Sequence, residues 1–415
     1  MPPPRGESVK RGGLVPIFLV LFLDILGFSL VLPFLAEEAR ATFHATEFQG
    51  TLLAAIYSLM QFLFVPVWGR VSDRVGRRPV LLWSVFTTAI GMLALGLALI
   101  KGDSLFWLFA PRVLSGIATA NIGTASAYIA DVTPPEERAR GMGTIGVAFG
   151  MGFILGPALG GLLSGIAIDG RTGAVPCFVA AALSVVNFGW ALFGLPESLS
   201  KENRSVRKRS LVPLNISAAR DAFARPGIAM AVLVNFVLIL SFTVLDQTFR
   251  FFTKDLFGMS ALETGLVLMF VGVIAAGVQG ALIRPLTRRY DEGTLVRAGT
   301  AIQSVAFMAF VSAPTIGTPM LYFAGGLLAV GNGLTQPSIS AFVSKRADPR
   351  AQGETLGTNQ SAASLARVFG PAFGGFLYGM FGPRSPYMVG ALGMAIACVV
   401  AFGLRDQRTT STQTS

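Results

Sequence analysis

Twelve apolar runs of about 20 residues or more follow one another along the 415-residue chain. A run of that length is what a helix needs to cross the hydrocarbon core of a membrane. An open sheet edge is not tolerated in lipid, so the runs predict helices. The predicted spans are residues 14–35, 48–68, 79–100, 104–130, 141–168, 175–195, 228–252, 264–283, 295–314, 319–343, 355–381 and 386–404.

The composition agrees with this reading. Hydrophobic residues make up 53% of the chain and charged residues only 13%, whereas soluble domains carry about 25% charge. The single histidine, His44, excludes any site that needs two imidazoles, and the two cysteines both lie in apolar runs. No motif of a hydrolase, nucleotide-binding or metal site is present. We therefore expect an all-α membrane protein that is not an enzyme and holds no cofactor or metal.

The positive charge is distributed unevenly. If the N-terminus is inside, 25 of the 33 lysines and arginines fall in inside segments and 5 in outside segments. Cytoplasmic loops carry such an excess, so the net charge of +11 reflects topology and does not indicate nucleic acid. The prediction is a multi-pass protein of the cell membrane with both termini in the cytoplasm.

The chain divides into two related halves. Residues 196–226 are the longest connection and the only one rich in charge, and they separate a first six-span bundle (1–195) from a second (227–415). Gly156-Pro-Ala-Leu-Gly-Gly161 in span five recurs as Gly370-Pro-Ala-Phe-Gly-Gly375 in span eleven. Repeated halves of six spans indicate a transporter whose site lies between the halves.

Two motifs resemble those of a known family. Residues 69–80 are similar to the loop between spans two and three of the major facilitator superfamily, and residues 150–161 to the span-five motif of its antiporters. Residues 23–27, 57–61 and 127–131 add a closer resemblance to its twelve-span drug:proton antiporters, particularly the tetracycline/proton antiporters. The resemblance implies proton-coupled efflux of a small, amphipathic, drug-like molecule.

The resemblance also implies a conformational latch, in which Asp73 faces the start of span eleven and Arg77 pairs with Asp131. The latch residues are Gly69, Asp73, Gly76, Arg77 and Asp131.

The span-five motif has a physical rationale of its own. Proline removes one backbone hydrogen bond and glycine admits a neighbouring helix closely. Gly156, Pro157, Gly160 and Gly161 are therefore expected to bend the helix and to pack tightly.

Charged residues inside the membrane are costly and mark function by default. Asp24 lies about 15 Å into span one, and Arg112 lies at comparable depth in span four. This carboxylate and guanidinium are expected to pair and line a cavity, where changing geometry loads and releases a proton. Asp246 in span seven is the third residue assigned to proton coupling.

Further polar residues are candidates for the substrate cavity. Arg367 is the least expected, because its counterpart in the first half is Phe153. A cation in one half only suggests a cavity suited to an anionic or polar group, although a structural pair with Asp246 is an equal alternative. The candidates are Tyr57, Gln61, Asn235, Asn332, Gln336 and Arg367.

The chain also departs from the tetracycline antiporters. Gly91 and Gln303 stand where the alignment implies aspartates, which argues against tetracycline itself as the cargo. Uptake or facilitated diffusion of a metabolite or lipid-like solute stays open, and a membrane receptor or intramembrane enzyme is a third reading. The expected partners are a small-molecule substrate, protons and the lipid bilayer, and we expect a monomer.

Overall fold

The computed structural model describes residues 14–134, 138–199, 204, 226–346 and 352–404. Within these residues the chain is helical, apart from short turns and one isolated bridge between Ile168 and Arg171. The predicted all-α fold is therefore confirmed. The helices are α1 (Leu14–Phe43), α2 (Glu47–Val75), α3 (Arg77–Lys101), α4 (Phe106–Ala118), α5 (Ile122–Val132), α6 (Arg138–Ser164), α7 (Ala174–Gly194), α8 (Pro226–Phe257), α9 (Ala261–Gly277), α10 (Ile283–Arg289), α11 (Glu292–Ile316), α12 (Thr318–Arg346), α13 (Gln352–Phe381) and α14 (Ser385–Ala401).

Ten of the predicted spans correspond to one helix each, and two are interrupted. The fourth span breaks at residues 119–121 into α4 and α5, and the eighth passes through a π-helical turn, Val278–Leu282, between α9 and α10.

Several helices also extend beyond their apolar runs. The segment read as a loop at 69–78 is one such case: α2 continues to Val75, and Gly76 alone joins it to α3. Hydrophobicity missed these extensions because the end turns are charged and bond to other helices.

In the part of the chain that the structure describes, nine helical stretches are long and apolar enough to cross a membrane. The protein is thus a multi-pass membrane protein. The helices α12 and α13 are not among the nine, and both carry polar side chains along their length, such as Asn332, Gln336 and Arg367. A polar face at membrane depth has to meet protein or a watery cavity, since lipid cannot satisfy it.

The helices pack in two groups, α1–α7 and α8–α14. The main contacts between the groups are those of α6 with α9, α2 with α13 and α1 with α8. Both groups begin their second helix with the same capping box, Thr46 with Gln49 in α2 and Ser260 with Glu263 in α9. These two caps are as far apart in sequence as the two Gly-Pro motifs, which fits an internal repeat. The domain boundaries stay a prediction, because most of 196–226 lies outside the described residues.

The contact between α6 and α9 covers only part of their length. A Cβ on Gly161 would lie 2.4 Å from the carbonyl oxygen of Ala261, and a Cβ on Gly265 would lie 2.3 Å from that of Pro157. The last such contact joins Gly272 to Ile154. Gly150 lies on the same face of α6, one turn before Ile154, and a Cβ on Gly150 would meet no atom within 4 Å. On the facing side, Ala276 of α9 and Gln279 of the π-helical turn are exposed.

The pair α2 and α13 diverges in the same direction. A Cβ on Gly375 would lie 2.0 Å from the hydroxyl oxygen of Thr51, whereas one on Gly357 would meet nothing within 4 Å. In the part of the chain that the structure describes, the two groups are consequently separated by a cleft that is closed at one end and open at the other. We call the closed end, which holds the α1–α2 and α8–α9 turns, the clasp end. We call the open end, which holds Gly76, the motif end.

Candidate functional site

Asp24 in α1 lies beside the break in the fourth span. Its side chain is partly exposed and lies within hydrogen-bonding reach of Asn121 in the break. Its Oδ1 atom is buried and has no hydrogen-bond partner among the described residues. A carboxyl group in this position, deep in a span and incompletely bonded, is suited to exchange a proton.

The break between α4 and α5 is stabilised by side chains from other helices. Unwinding at residues 119–121 frees backbone carbonyls, which need donors at membrane depth. Trp68 donates to the carbonyl of Ile117 at 2.6 Å, Ser84 to that of Ala118 at 2.6 Å, and Gln61 to that of Thr119 at 3.2 Å. Sequence reasoning missed the break because the run 104–130 is long enough to read as one continuous span and contains no proline near residues 119–121.

Arg112 does not pair with Asp24, so that expectation is wrong in this structure. Its side chain is 1% exposed, and its Nε atom donates to the carbonyl of Leu53 at 3.2 Å. The guanidinium lies over the ring of Tyr57, 4.3 Å from the centroid, and one nitrogen, Nη2, has no partner among the described residues. The aromatic face and the carbonyl stabilise the cation in place of a carboxylate.

Two cavity candidates of the first half are engaged in this network. The hydroxyl of Tyr57 is 2.6 Å from that of Thr119, and its ring stacks on Phe28. Gln61 donates to the carbonyl of Thr119 and is partly exposed. The structure therefore brings Tyr57, Gln61 and Arg112 together around α4, with Tyr57 buried and Gln61 reachable.

The second half contains a cluster of amides. Asn235 in α8 donates to the side-chain oxygen of Asn359 in α13 at 3.0 Å and lies 3.5 Å from the amide nitrogen of Gln336 in α12. Sequence reasoning missed Asn359, although polar residues in a membrane span were the signal used for the others. Asn332, also in α12, is partly exposed. In the same half, Asp246 accepts a hydrogen bond from the adjacent Gln247 at 2.7 Å.

The glycines of the span-five motif are contact positions. A Cβ on Gly156 would lie 1.8 Å from the hydroxyl oxygen of Ser29, and one on Gly160 would lie 2.2 Å from the carbonyl of Leu30. Both belong to α1, whereas Gly161 and the carbonyl of Pro157 face α9. The motif therefore packs α6 against one helix of each half. The bend at Pro157 stays a prediction.

At the motif end, an ion-pair group joins α2, α3 and α5. Arg77 pairs with Asp73 at 2.5 Å and with Asp131 at 3.3 Å. Gly76 has φ +113°, a conformation that favours glycine, and a Cβ there would lie 2.2 Å from the Glu197 carboxylate. Gly69 makes no comparably close approach.

Glu197 belongs to this group and was missed from sequence. Its Oε1 atom accepts the backbone N–H of Arg77 at 2.8 Å, at the N-terminus of α3, where a helix favours negative charge. Ser198 donates to Asp131 at 3.0 Å. The first residues of the central connection are thus tied to the motif. We call Asp73, Gly76, Arg77, Asp131 and Glu197 the motif group.

At the clasp end, charged side chains join the two halves directly. Arg40 in α1 forms a two-point contact with Asp255 in α8, at 2.8 and 2.5 Å, and Glu37 pairs with Lys254. Tyr378 in α13 donates to Asp255 at 2.8 Å. We call Glu37, Arg40, Lys254 and Asp255 the clasp.

The clasp was not among the predicted site residues. A signal was available, since residues 37–40 and 254–255 place opposite charges just beyond spans one and seven. Their pairing depends on α1 lying beside α8, which hydrophobic periodicity does not specify.

Comparison with known proteins now decides the family. The sequence profile of the major facilitator superfamily matches residues 17–357 and 285–415. The chain belongs to the major facilitator superfamily. This membership confirms the resemblance seen in the sequence.

Relatives within the superfamily include drug-resistance proteins. The chain is 32% identical to the class C tetracycline resistance protein of Escherichia coli over 367 residues, which cover 87% of this chain and 88% of that protein. It is 27% identical to multidrug resistance protein 2 of Bacillus subtilis, with the same coverage. Among solved structures, the human organic anion transporter MFSD10 superposes with a TM-score of 0.70 at 25% identity, over 94% of this chain and 99% of that one.

In this major facilitator protein, Gly91 and Gln303 stand at the two positions where the tetracycline antiporters were expected to carry aspartates. Both positions are packing positions here. A Cβ on Gly91 would lie 2.3 Å from the hydroxyl of Ser115, so α3 and α4 approach closely there. Gln303 is buried and donates to Thr335 at 3.1 Å, between α11 and α12. Neither position offers a carboxylate, and the ionisable groups of this superfamily member lie elsewhere in its spans.

Proposed function

We propose that the protein is a proton-coupled exporter of a small amphipathic molecule that works by alternating access. The observation that carries this proposal is the cleft between the halves, closed at the clasp end and open at the motif end, with Asp24 incompletely bonded in the middle of a span. The positive-inside count assigns the motif end to the cytoplasm. In that orientation the cleft is open to the cytoplasm, ready to receive a cargo from inside the cell.

Coupling to protons follows from the chemistry of Asp24. A carboxyl group that gains or loses a proton changes by a full charge, and that charge is costly in a low-dielectric span. Movement of the halves changes the water that reaches the group, so conformation and protonation become linked. The proton gradient is then the energy source and no other cofactor is needed. Asp246, in span seven, is a further candidate for proton coupling and lies in the second half.

Uptake or facilitated diffusion of a metabolite or lipid-like solute is the second candidate. The observation that favours it is the similarity to MFSD10, which is described as an organic anion transporter. The relatives therefore do not agree on one type of cargo. A monomer in the cell membrane, with both termini in the cytoplasm, satisfies either candidate.

Substitution of Asp24 separates these proposals. Purified protein in liposomes with an imposed pH gradient would be tested with a panel of amphipathic compounds. Asp24→Asn keeps the shape of the side chain and removes its proton, so gradient-driven accumulation should be lost while binding and downhill exchange continue. Asp169→Asn, at an exposed turn, is the matched control. Uphill transport by Asp24→Asn at the wild-type rate contradicts proton coupling through this group, and gradient-independent transport by the wild type favours the facilitative candidate.

A further inference from the structure

Arg367 lies on the face of α13 that looks between the two halves. Two neighbouring glycines fix the orientation of this helix: Gly374 contacts Val244 of α8, in its own half, and Gly375 contacts Thr51 of α2, in the other half. At 3.6 residues per turn, Arg367 lies about two turns before Gly374, at an angular position between those two contacts. α2 and α13 diverge along α13 from Gly375 towards Arg367. Arg367 therefore lies where the cleft begins.

The guanidinium of Arg367 has no hydrogen bond, ion pair or aromatic partner among the described residues. Its nitrogen atoms are absent from the buried unpartnered atoms of the protein, so they retain accessible surface. The residue is nevertheless deep within the protein, and no charged side chain of the described residues acts on it. A structural pair with Asp246 is not formed among the described residues, and Asp246 accepts a hydrogen bond from Gln247 instead.

Arg112 shows what a structural arginine looks like in the same protein. It is 1% exposed, donates to a backbone carbonyl and covers a tyrosine ring. Arg367 has none of these contacts, although an uncompensated arginine in a span is costly. Its accessible end lies in the cleft, where a cargo can supply the missing charge.

We propose that Arg367 binds the carboxylate of the transported molecule, so that the cargo is an amphipathic organic acid. The planar guanidinium presents parallel N–H donors that match the two oxygens of a carboxylate. This inference rests on the proposed transport of a small molecule through the cleft. It adds the chemical class of the cargo and the residue that selects it, and it does not depend on the direction of transport or on protons.

The test measures binding without a gradient. A fluorescent amphipathic monocarboxylate and its uncharged methyl ester are titrated against purified protein in nanodiscs. The wild type should bind the acid at least ~10-fold more tightly than the ester, as expected for a charge-assisted pair. Arg367→Ala should weaken acid binding by ~10-fold or more and leave ester binding unchanged, whereas Arg384→Ala, which removes a positive charge at the start of α14, should change neither.

Equal affinity of the wild type for acid and ester would overturn the proposal, and this result needs no variant. Equal loss of both ligands in Arg367→Ala would also overturn it, because it would indicate a structural role. If Arg367→Ala does not fold, Arg367→Gln and Arg367→Lys replace it, and acid selectivity should fall in the order arginine, lysine, glutamine. Failure of the proton-coupling test on Asp24 leaves these binding results unaffected, so the two proposals fail separately.

Discussion

The clasp end and the motif end both contain ion pairs, but they join different partners. At the clasp end, Arg40 and Lys254 connect α1 of the first half to α8 of the second. At the motif end, Arg77 pairs within the first half, with Asp73 and Asp131. Among the described residues, Arg40 and Lys254 form ion pairs across the interface at the closed end, whereas the pairs of Arg77 at the open end lie within one half. The comparison suggests that the clasp determines which side is sealed, while the motif group fixes the shape of one bundle.

The largest expected effect comes from glycine at the helix interface. Gly265→Leu introduces a side chain where even a Cβ would lie 2.3 Å from the carbonyl of Pro157, so α6 and α9 have to separate at the clasp end. Overpacking of this kind costs about 1–3 kcal/mol or more, which favours the state that is closed at the motif end. Spin labels at positions 63 and 360, with both native cysteines replaced, should move closer together.

Gly150→Leu is the opposing variant on the same stripe of α6. It fills open space in this structure and obstructs closure of the motif end, so the label distance should stay long. Gly189→Leu on α7, also in open space, should leave the distance distribution unchanged. Identical shifts in the first two variants would contradict the picture of one closed and one open end.

The next effect concerns the clasp. Arg40→Ala removes the two-point contact with Asp255, and we expect the closed end to lose about 1–2 kcal/mol, since the pair is partly exposed but joins a network. The same spin labels should report a larger population with a closed motif end. Lys101→Ala removes a charge at the same end of the molecule and should have no effect. The exchanged pair, Arg40→Asp with Asp255→Arg, should recover part of the loss; no recovery would mean that Arg40 acts through another contact.

The smallest expected effect is the difference between two glycine substitutions, which distinguishes contact from backbone strain at the two ends. Gly76 and Gly258 both have positive φ, +113° and +64°, so alanine is strained at either position by about 1–3 kcal/mol. At Gly76 the Cβ also meets Glu197, whereas at Gly258 it meets nothing within 4 Å. Thermal unfolding midpoints in detergent should therefore fall further for Gly76→Ala than for Gly258→Ala. An equal decrease would show that the Glu197 contact contributes little.

Much of the fold could be predicted from the sequence, because a membrane imposes a simple rule. Each helix has to present apolar side chains over about 20 residues, and this requirement is visible in any one segment without its neighbours. The all-α class followed in that way, the motifs at 69–80 and 150–161 carried the resemblance to the family, and the repeated Gly-Pro motifs indicated two related halves. In-span charge also selected Asp24, Arg112, Asp246 and Arg367, since such residues are costly in lipid.

The partners of those residues were decided only by tertiary structure. Arg112 binds a carbonyl and a tyrosine ring in place of Asp24, because the helix packing places α2 against α4 at that depth. The break at residues 119–121 depends on donors from α2 and α3 that no local pattern reveals. The clasp likewise exists only because α1 lies beside α8. Sequence thus determined which residues are costly in a membrane, and packing determined what satisfies each of them, since hydrogen bonds and ion pairs depend on distances between segments far apart in the chain.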